Sequence, residues 1–464
     1  MGTNHLKEEV FAMKNYSKVL AATLAVSMGL GMIGCGSGSD SKEDSAKGGS
    51  SSSSSASAKS DSKSKSGDDL SGKLVYWSMW NDTEPQGEVW QEIKDGFEKE
   101  HPNVDIEIQW CGRDNKKILK PALEGGETID VFEYPIEIDL KDYILDMTPY
   151  VDKTYQATDG KKLSEVVLPN LLTTPKSMLD VDYQPAVGYK PWMSLFMYSQ
   201  AAFDKAEIKE EPKTWEELDE ACAKLKEAGY SPLTFDDAYA SWLPGMYLDR
   251  EKGQDWIREL VQDKTGEMWK DDAVVKMAKA YEDFAKKGYF DKSVSGNKYP
   301  AGQMDVGNGK VAMYYNLTGL TTEVKDVTGD DFVWGGFSFP DVEEGQNKFE
   351  KEDPAGCTML AVNKDTKDPD LAMEFIAYAL DQENDQKMVE HAGTTPATAG
   401  TEWPKSLENM KDVFTSNETP LKYGADIASN ADLAPTIQEN FTKLAAGDIT
   451  ADQFVENMAA AAKK

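Results

Sequence analysis

Apolar and polar positions recur along this chain at two spacings, that of strands and that of helices. Lys73-Leu-Val-Tyr-Trp77 reads as a strand. A polar loop from Ser78 to Glu84 follows it. Pro85 then fits the first turn of a helix reaching to about Glu100, with Val89, Trp90, Ile93 and Phe97 at helical spacing. His101-Pro102-Asn103 stops that helix. Val104-Asp-Ile-Glu-Ile108 alternates as a strand should, Asn115 to Leu123 reads as a helix, and Gly126 to Tyr134 reads as a turn entering a strand. Strand, helix, strand, helix, strand predicts a mostly parallel sheet covered by helices. Ligands on such sheets bind beyond the carboxyl ends of the strands, which puts Trp77 to Asp82 and Glu133-Tyr134 on one rim.

The later chain is dominated by the helical spacing. Thr214, with Glu217 three residues on, forms a capping box that opens a helix ending near Gly229. Further helices are expected near Gln254–Gln262, Asp272–Lys287 and Asp368–Leu380, and a last one over Thr450 to Ala461. No internal repeat is visible.

Before Lys73 the pattern is different. Lys14 and Lys18 precede an apolar run from Val19 to Ile33, which closes on Met32-Ile33-Gly34-Cys35. The run is too short and too rich in Gly and Ser for a membrane span and reads as a bacterial lipoprotein signal over residues 1–34, with Cys35 as the lipid attachment point. Met13 opens a better signal than Met1, because Glu8 and Glu9 do not suit a basic leader; residues 1–12 read as a non-native start. Residues 35–72 are nearly all Gly, Ser, Lys, Asp and Ala. Such a stretch buries too little surface to offset chain entropy and reads as a disordered tether, with a root-mean-square reach of about 30 Å. The expected location is the extracellular face of the cytoplasmic membrane.

The remainder, Lys73 to Lys464, exceeds one ordinary core and predicts two lobes. A formal net charge of −32 argues against a nucleic-acid partner and disfavours an anionic substrate, because no Lys/Arg cluster stands out in the sequence. Besides Cys35, only Cys111, Cys222 and Cys357 remain, far apart and without a CxxC pair, so neither a zinc site nor a redox motif is expected. No EF-hand spacing occurs. No cofactor or metal is predicted.

Several segments together resemble the extracellular solute-binding proteins of ABC importers, in the group that binds sugars and oligosaccharides. They are Phe97 through Pro102 to Ile108, Gly126 through Asp130 to Tyr134, Glu211-Pro-Lys-Thr-Trp-Glu-Glu-Leu218 with Lys224-Leu-Lys-Glu-Ala-Gly229, Gly309-Lys-Val-Ala-Met313, and Ala361-Val-Asn-Lys364 with Leu371 to Ile376. The resemblance implies an α/β, two-lobed periplasmic-binding-protein-like fold with hinge crossings near Gln184–Trp192, Val311–Gly319 and Gly393–Thr398. It places residues 73–188 and 319–393 in an N-terminal lobe, and 189–318 and 394–464 in a C-terminal lobe. It implies a membrane-tethered monomer that is not an enzyme, and whose partners are a sugar or oligosaccharide and ABC permease subunits. The chain departs from the family pattern at Asn316-Leu-Thr-Gly-Leu320, where many members carry a Gly-x-Trp platform for the sugar.

Binding a sugar needs flat aromatic groups for its C–H face and charged or amide groups for its hydroxyl rim. Trp77, Trp80, Asn81 and Asp82 offer both within one loop; Glu133 and Tyr134 can face them, and Tyr239 and Trp242, or Trp192, can close the sandwich. Each has a plainer reading: Trp77 as core, Asn81 as a turn cap, Trp192 as packing in a crossing strand. The main rival is a secreted glycoside-acting enzyme, which needs two carboxylates about 5–9.5 Å apart. No HExxH, GxSxG or P-loop pattern supports it, and of the three histidines neither His101 nor His391 has a partner arrangement suited to catalysis, while His5 lies in the leader. A surface adhesin is a second rival, and the same fold holding a polyamine, peptide or metal complex is a third.

Overall fold

The computed structural model describes residues 70–464 except 135–137, 347–348 and 418–419. The leader, Cys35 and nearly all of the tether lie outside the described residues. Among the described residues eight strands follow one another: β1 (Gly72–Ser78), β2 (Val104–Trp110), β3 (Val131–Tyr134), β4 (Val187–Ser199), β5 (Ser231–Thr234), β6 (Val311–Leu317), β7 (Trp334–Phe337) and β8 (Ala355–Val362). The longer helices are α1 (Pro85–Glu100), α2 (Asn115–Gly125), α3 (Asn170–Leu179), α4 (Trp215–Glu227), α5 (Trp242–Lys252), α6 (Gln254–Gln262), α7 (Asp272–Lys287), α8 (Pro369–Ala379), α9 (Gln382–Ala392), α10 (Ala434–Ala445) and α11 (Ala451–Ala461).

Helix α1 forms where expected, with Pro85 in its first turn and Val89, Trp90, Ile93 and Phe97 on its buried face. It carries the chain from β1 to its parallel neighbour β2, and α2 carries it on to β3, which lies parallel to β1 on the other side. Gly126, at φ 73°, ends α2 in the left-handed conformation that glycine adopts without strain. The capping box at α4 is present in both directions: the Glu217 N–H donates to Thr214 Oγ1 at 3.3 Å, and the Thr214 N–H donates to Glu217 Oε2 at 3.1 Å. Its loss would cost about 1 kcal/mol.

The strands run in the order β2-β1-β3-β8-β4-β6-β5, with β7 also paired to β4. The local strand–helix–strand units are parallel, as the sequence predicts. The antiparallel joins, β3 to β8, β8 to β4 and β4 to β6, are long-range and leave no mark in local periodicity.

Two hydrophobic cores lie along this sheet, and the fold is an α/β one with two lobes. The first core holds Tyr76, Trp90, Phe97, Phe132 and Phe375, and ends along β4 at Tyr189. The second takes up β4 at Met193 and holds Phe196, Tyr281, Phe284, Phe337 and Phe441. The thirteen-residue strand β4 therefore serves both. Its register shifts between Tyr189 and Pro191, where Lys190 has a φ of 50°. The chain returns to the first core along β8, between Ala355 and Cys357, and leaves it again between Ala397 and Leu407. Residues Leu320, Val324, Trp334, Phe337 and Phe339 pack in the second core, so the return is made by β8 and not at the end of β6, where the expected boundary at 319 would put it. The fully buried Arg250 fastens the 339–353 segment to α5, pairing with Asp249 at 3.0 Å and Asp353 at 2.9 Å and donating to the Phe339 carbonyl.

Candidate ligand-binding site

The crossing segments are bonded to one another. Thr318 at the end of β6 exchanges hydrogen bonds with Met193 of β4: its N–H donates to the Met193 carbonyl at 2.9 Å, and its hydroxyl accepts from the Met193 N–H at 3.3 Å. The Thr395 hydroxyl donates to the Pro191 carbonyl. Between these segments lies a cavity of about 180 Å³, whose walls include Lys190, Trp192, Thr318, Glu323, Thr358 and Thr395. A larger open hollow of about 570 Å³, at Val261, Asn440 and Lys464, shares no residue with the crossings.

Trp192 joins this cavity to a row of rings. Its indole lies over Gly356, its register partner on β8, where an added Cβ would come within 2.2 Å of the ring. Tyr423 stacks on Trp192 with centroids 4.5 Å apart and planes 8° apart, and on Trp242 at 5.3 Å and 16°. Tyr239 leans on Trp242 at 4.7 Å, and Tyr299 meets Tyr239 edge-on at 5.9 Å. Glycines bring these parts together. The segment carrying Tyr423 lies on α5 so closely that a Cβ at Gly245 would come within 2.1 Å of the Gly424 carbonyl oxygen, and Gly424 itself has a φ of 51°. Tyr423 and Tyr299 are 42% and 48% exposed, against 8% for Trp242. The Tyr423 hydroxyl is pushed up by burial, with Tyr134, Tyr239 and Cys357 adding to the effect.

The second ring system is closed. Trp80 is 3% exposed. Its indole N–H donates to the Tyr189 hydroxyl at 2.9 Å, as does that of Trp90 at 3.4 Å. Tyr189 donates in turn to Glu133, which also accepts from the Ser78 hydroxyl and from the Met79 N–H at 3.1 Å. Burial raises the Glu133 carboxyl pKa, and those donors oppose the rise. The Trp80 ring is covered by two cations, the Arg113 guanidinium and the Lys190 ammonium, each 4.5 Å from its centroid. Arg113 is held by Glu84 at 2.8 Å and by the Met79 carbonyl at 2.8 Å.

The sequence-predicted residues thus separate. Trp192, Tyr239 and Trp242 are brought together with Tyr423, whereas Tyr134, at the end of β3, packs against the first core. Trp77 is half-buried against the first core at the end of β1, and Asn81 and Asp82 are exposed in the loop after it. The Asn81 N–H donates to Glu84, which makes Asn81 part of the turn into α1. Glu133, expected to face a ligand, lies fully buried with both carboxylate oxygens engaged, because β3 is central in its sheet.

Sequence reasoning missed Tyr423, Tyr299 and Lys190. Only Lys190 leaves a readable signal: it is the single charged residue in the largely apolar run from Ala186 to Ser199, and it stands before a proline. Among the described residues, Cys111, Cys222 and Cys357 are free, no group of three or more His, Cys, Asp or Glu is placed to hold a metal ion, and no helix is long and apolar enough to cross a membrane.

Solved structures share this fold. A probable secreted solute-binding lipoprotein from Streptomyces coelicolor is 15% identical, with a TM-score of 0.66, over 84% of this chain and 98% of that one. The apo form of RafE from Streptococcus pneumoniae is 18% identical, with a TM-score of 0.65, over 84% and 97%. A sugar transporter protein from Bacillus licheniformis, in complex with stachyose, is 18% identical, with a TM-score of 0.55, over 84% and 98%. These likenesses establish the fold. No curated protein sequence matches the chain significantly. Residues 80–386 match the model of the bacterial extracellular solute-binding protein family, and the chain belongs to that family.

Proposed function

We propose that this extracellular solute-binding protein holds a sugar or oligosaccharide between its lobes and delivers it to the permease subunits of an ABC importer. The observation that carries the reading is the near-parallel stack of Trp192, Tyr423 and Trp242 beside the crossings. Stacked rings sit at centroid distances of about 4.5–7 Å. Tyr423, at 4.5 and 5.3 Å from its neighbours, fills a slot with room for one ring between two indoles. In this reading Tyr423 stands where a sugar ring would stack and swings out as the ligand enters. Tyr134, Tyr239 and the threonines of the cavity then face the hydroxyl rim. The stachyose held by the Bacillus licheniformis neighbour supports a carbohydrate over a peptide or a polyamine.

Binding would close the lobes, because a ligand touching both stabilises the closed form over the open one by its differential affinity alone. Once the leader at 1–34 is cleaved, the lipid at Cys35 and the tether at 35–72 would hold this monomer on the extracellular face of the cytoplasmic membrane within reach of the permease. The chain performs no reaction on its ligand; release of chromophore from chromogenic glycosides would contradict that. The test of the whole reading is a thermal-shift screen over mono- and oligosaccharides, polyamines and peptides. A saccharide at a hundred times its Kd should stabilise the protein by about 2.7 kcal/mol. A response to a polyamine or peptide alone would overturn the proposal.

A further inference from the structure

The cavity at the crossings contains a cation that the protein leaves unused. Arg113 is held by Glu84 and a carbonyl, whereas the Lys190 ammonium, among the described residues, makes no hydrogen bond or ion pair and only rests on the Trp80 ring. Lys190 is half-buried on the bulge of β4, two residues before Trp192, and both line the cavity. Glu323 lines it too, but does not come within ion-pair distance; its Oε2 accepts from Gln303 at 2.5 Å and from the Tyr299 hydroxyl at 3.2 Å. An ammonium withdrawn from water without a compensating anion is costly, and a fold that keeps one in a ligand cavity leaves a place for an anion.

We propose that the ligand is an acidic carbohydrate, and that Lys190 selects it by pairing with the carboxylate of a uronic acid unit whose neighbouring ring stacks at Trp192. This rests on the carbohydrate reading and narrows it. The strongly acidic chain disfavours anions at long range, yet a single half-buried lysine in a cleft decides locally, because charge-assisted bonds strengthen where water is excluded. The Lys190 pKa is lowered to about 8, first by burial and then by the Arg113 charge, against the smaller opposing effects of Glu133, Glu323 and Glu84. A bound carboxylate favours the protonated form, so binding near pH 8 takes up protons, and affinity for the acid falls as pH rises through that value.

The test is calorimetry on the full chain with trigalacturonate and its methyl ester, which has the same ring shape but no charge, alongside a panel of neutral oligosaccharides. The acid should bind at least tenfold more tightly than the ester, with proton uptake at pH 8 seen as a dependence on buffer ionisation enthalpy, and Lys190→Met should abolish both the preference and the uptake. Equal binding of acid and ester, a preference that survives in Lys190→Met, or binding of neutral saccharides alone would overturn the inference and leave the carbohydrate reading standing. Equal weakening of both ligands by Lys190→Met would also overturn it, because that is the behaviour of a clasp between Lys190 and Glu323. If no saccharide of any charge binds, the carbohydrate reading itself fails.

Discussion

Trp80 and Trp192 flank the same lysine but live in opposite surroundings. Trp80 follows a strand in a polar loop, yet its faces are covered by Arg113 and Lys190, its N–H is engaged by Tyr189, and behind them Glu133 is sealed by hydroxyl and amide donors. Trp192 sits within an apolar strand, yet the missing side chain at Gly356 lets its indole lie flat beside the cleft, in contact with the exposed Tyr423. The neighbours decide what an indole does. Cations and a buried carboxylate make the first ring part of the framework, whereas the second packs between a glycine on one side and an exposed ring on the other.

That contrast can be broken most easily at Trp80. Trp80→Ala should destabilise the protein by about 3–5 kcal/mol in urea unfolding, as a large buried ring does, while neutral saccharide affinity stays within a few-fold. Lost affinity at unchanged stability would reverse the assignment. Gly356→Ala should come next, costing about 1–3 kcal/mol of stability because the new Cβ displaces the indole, and weakening saccharide binding alongside. Trp192→Ala should weaken saccharide binding at least tenfold, about 1.4 kcal/mol, with a smaller stability loss than Trp80→Ala; calorimetry and urea titration on the same sample check both.

Smaller effects sharpen the comparison between the rings through Lys190 and Tyr423. Lys190→Met should stabilise the ligand-free protein by about 1 kcal/mol at pH 7, since an unpaired ammonium leaves the cavity wall. The sign with pH follows from a folded pKa near 8, below the ordinary 10.5. The wild type carries the penalty in full below 8 and sheds it as pH rises toward 10.5, so the advantage of Met shrinks across that window in thermal melts. Tyr423→Ala should tighten saccharide binding by a few-fold, because the ligand no longer has to displace a ring. A tenfold loss would mean that Tyr423 is itself a ligand platform.

Local elements were legible in the sequence. Helix α1, the α4 capping box and the first parallel strands follow from spacing, turn residues and caps, which act over a few residues. The antiparallel joins through β8 were not, since nothing local announces that Gly356 will lie beside Trp192. The same limit explains the site. Tyr239 and Trp242 lie together because aromatic residues near each other in sequence stay near each other in space, whereas Tyr423 reaches them only through the close approach of Gly424 to α5. Glu133 looked like a rim residue because strand ends usually are; its burial depends on Tyr189, which β4 brings from far along the chain.

The most direct measurement is a crystal structure with the oligosaccharide that gives the largest thermal shift. A sugar ring should lie between the Trp192 and Trp242 indoles, with Tyr423 swung out of the stack. A saccharide bound elsewhere, with Tyr423 still packed between the two indoles, would contradict it.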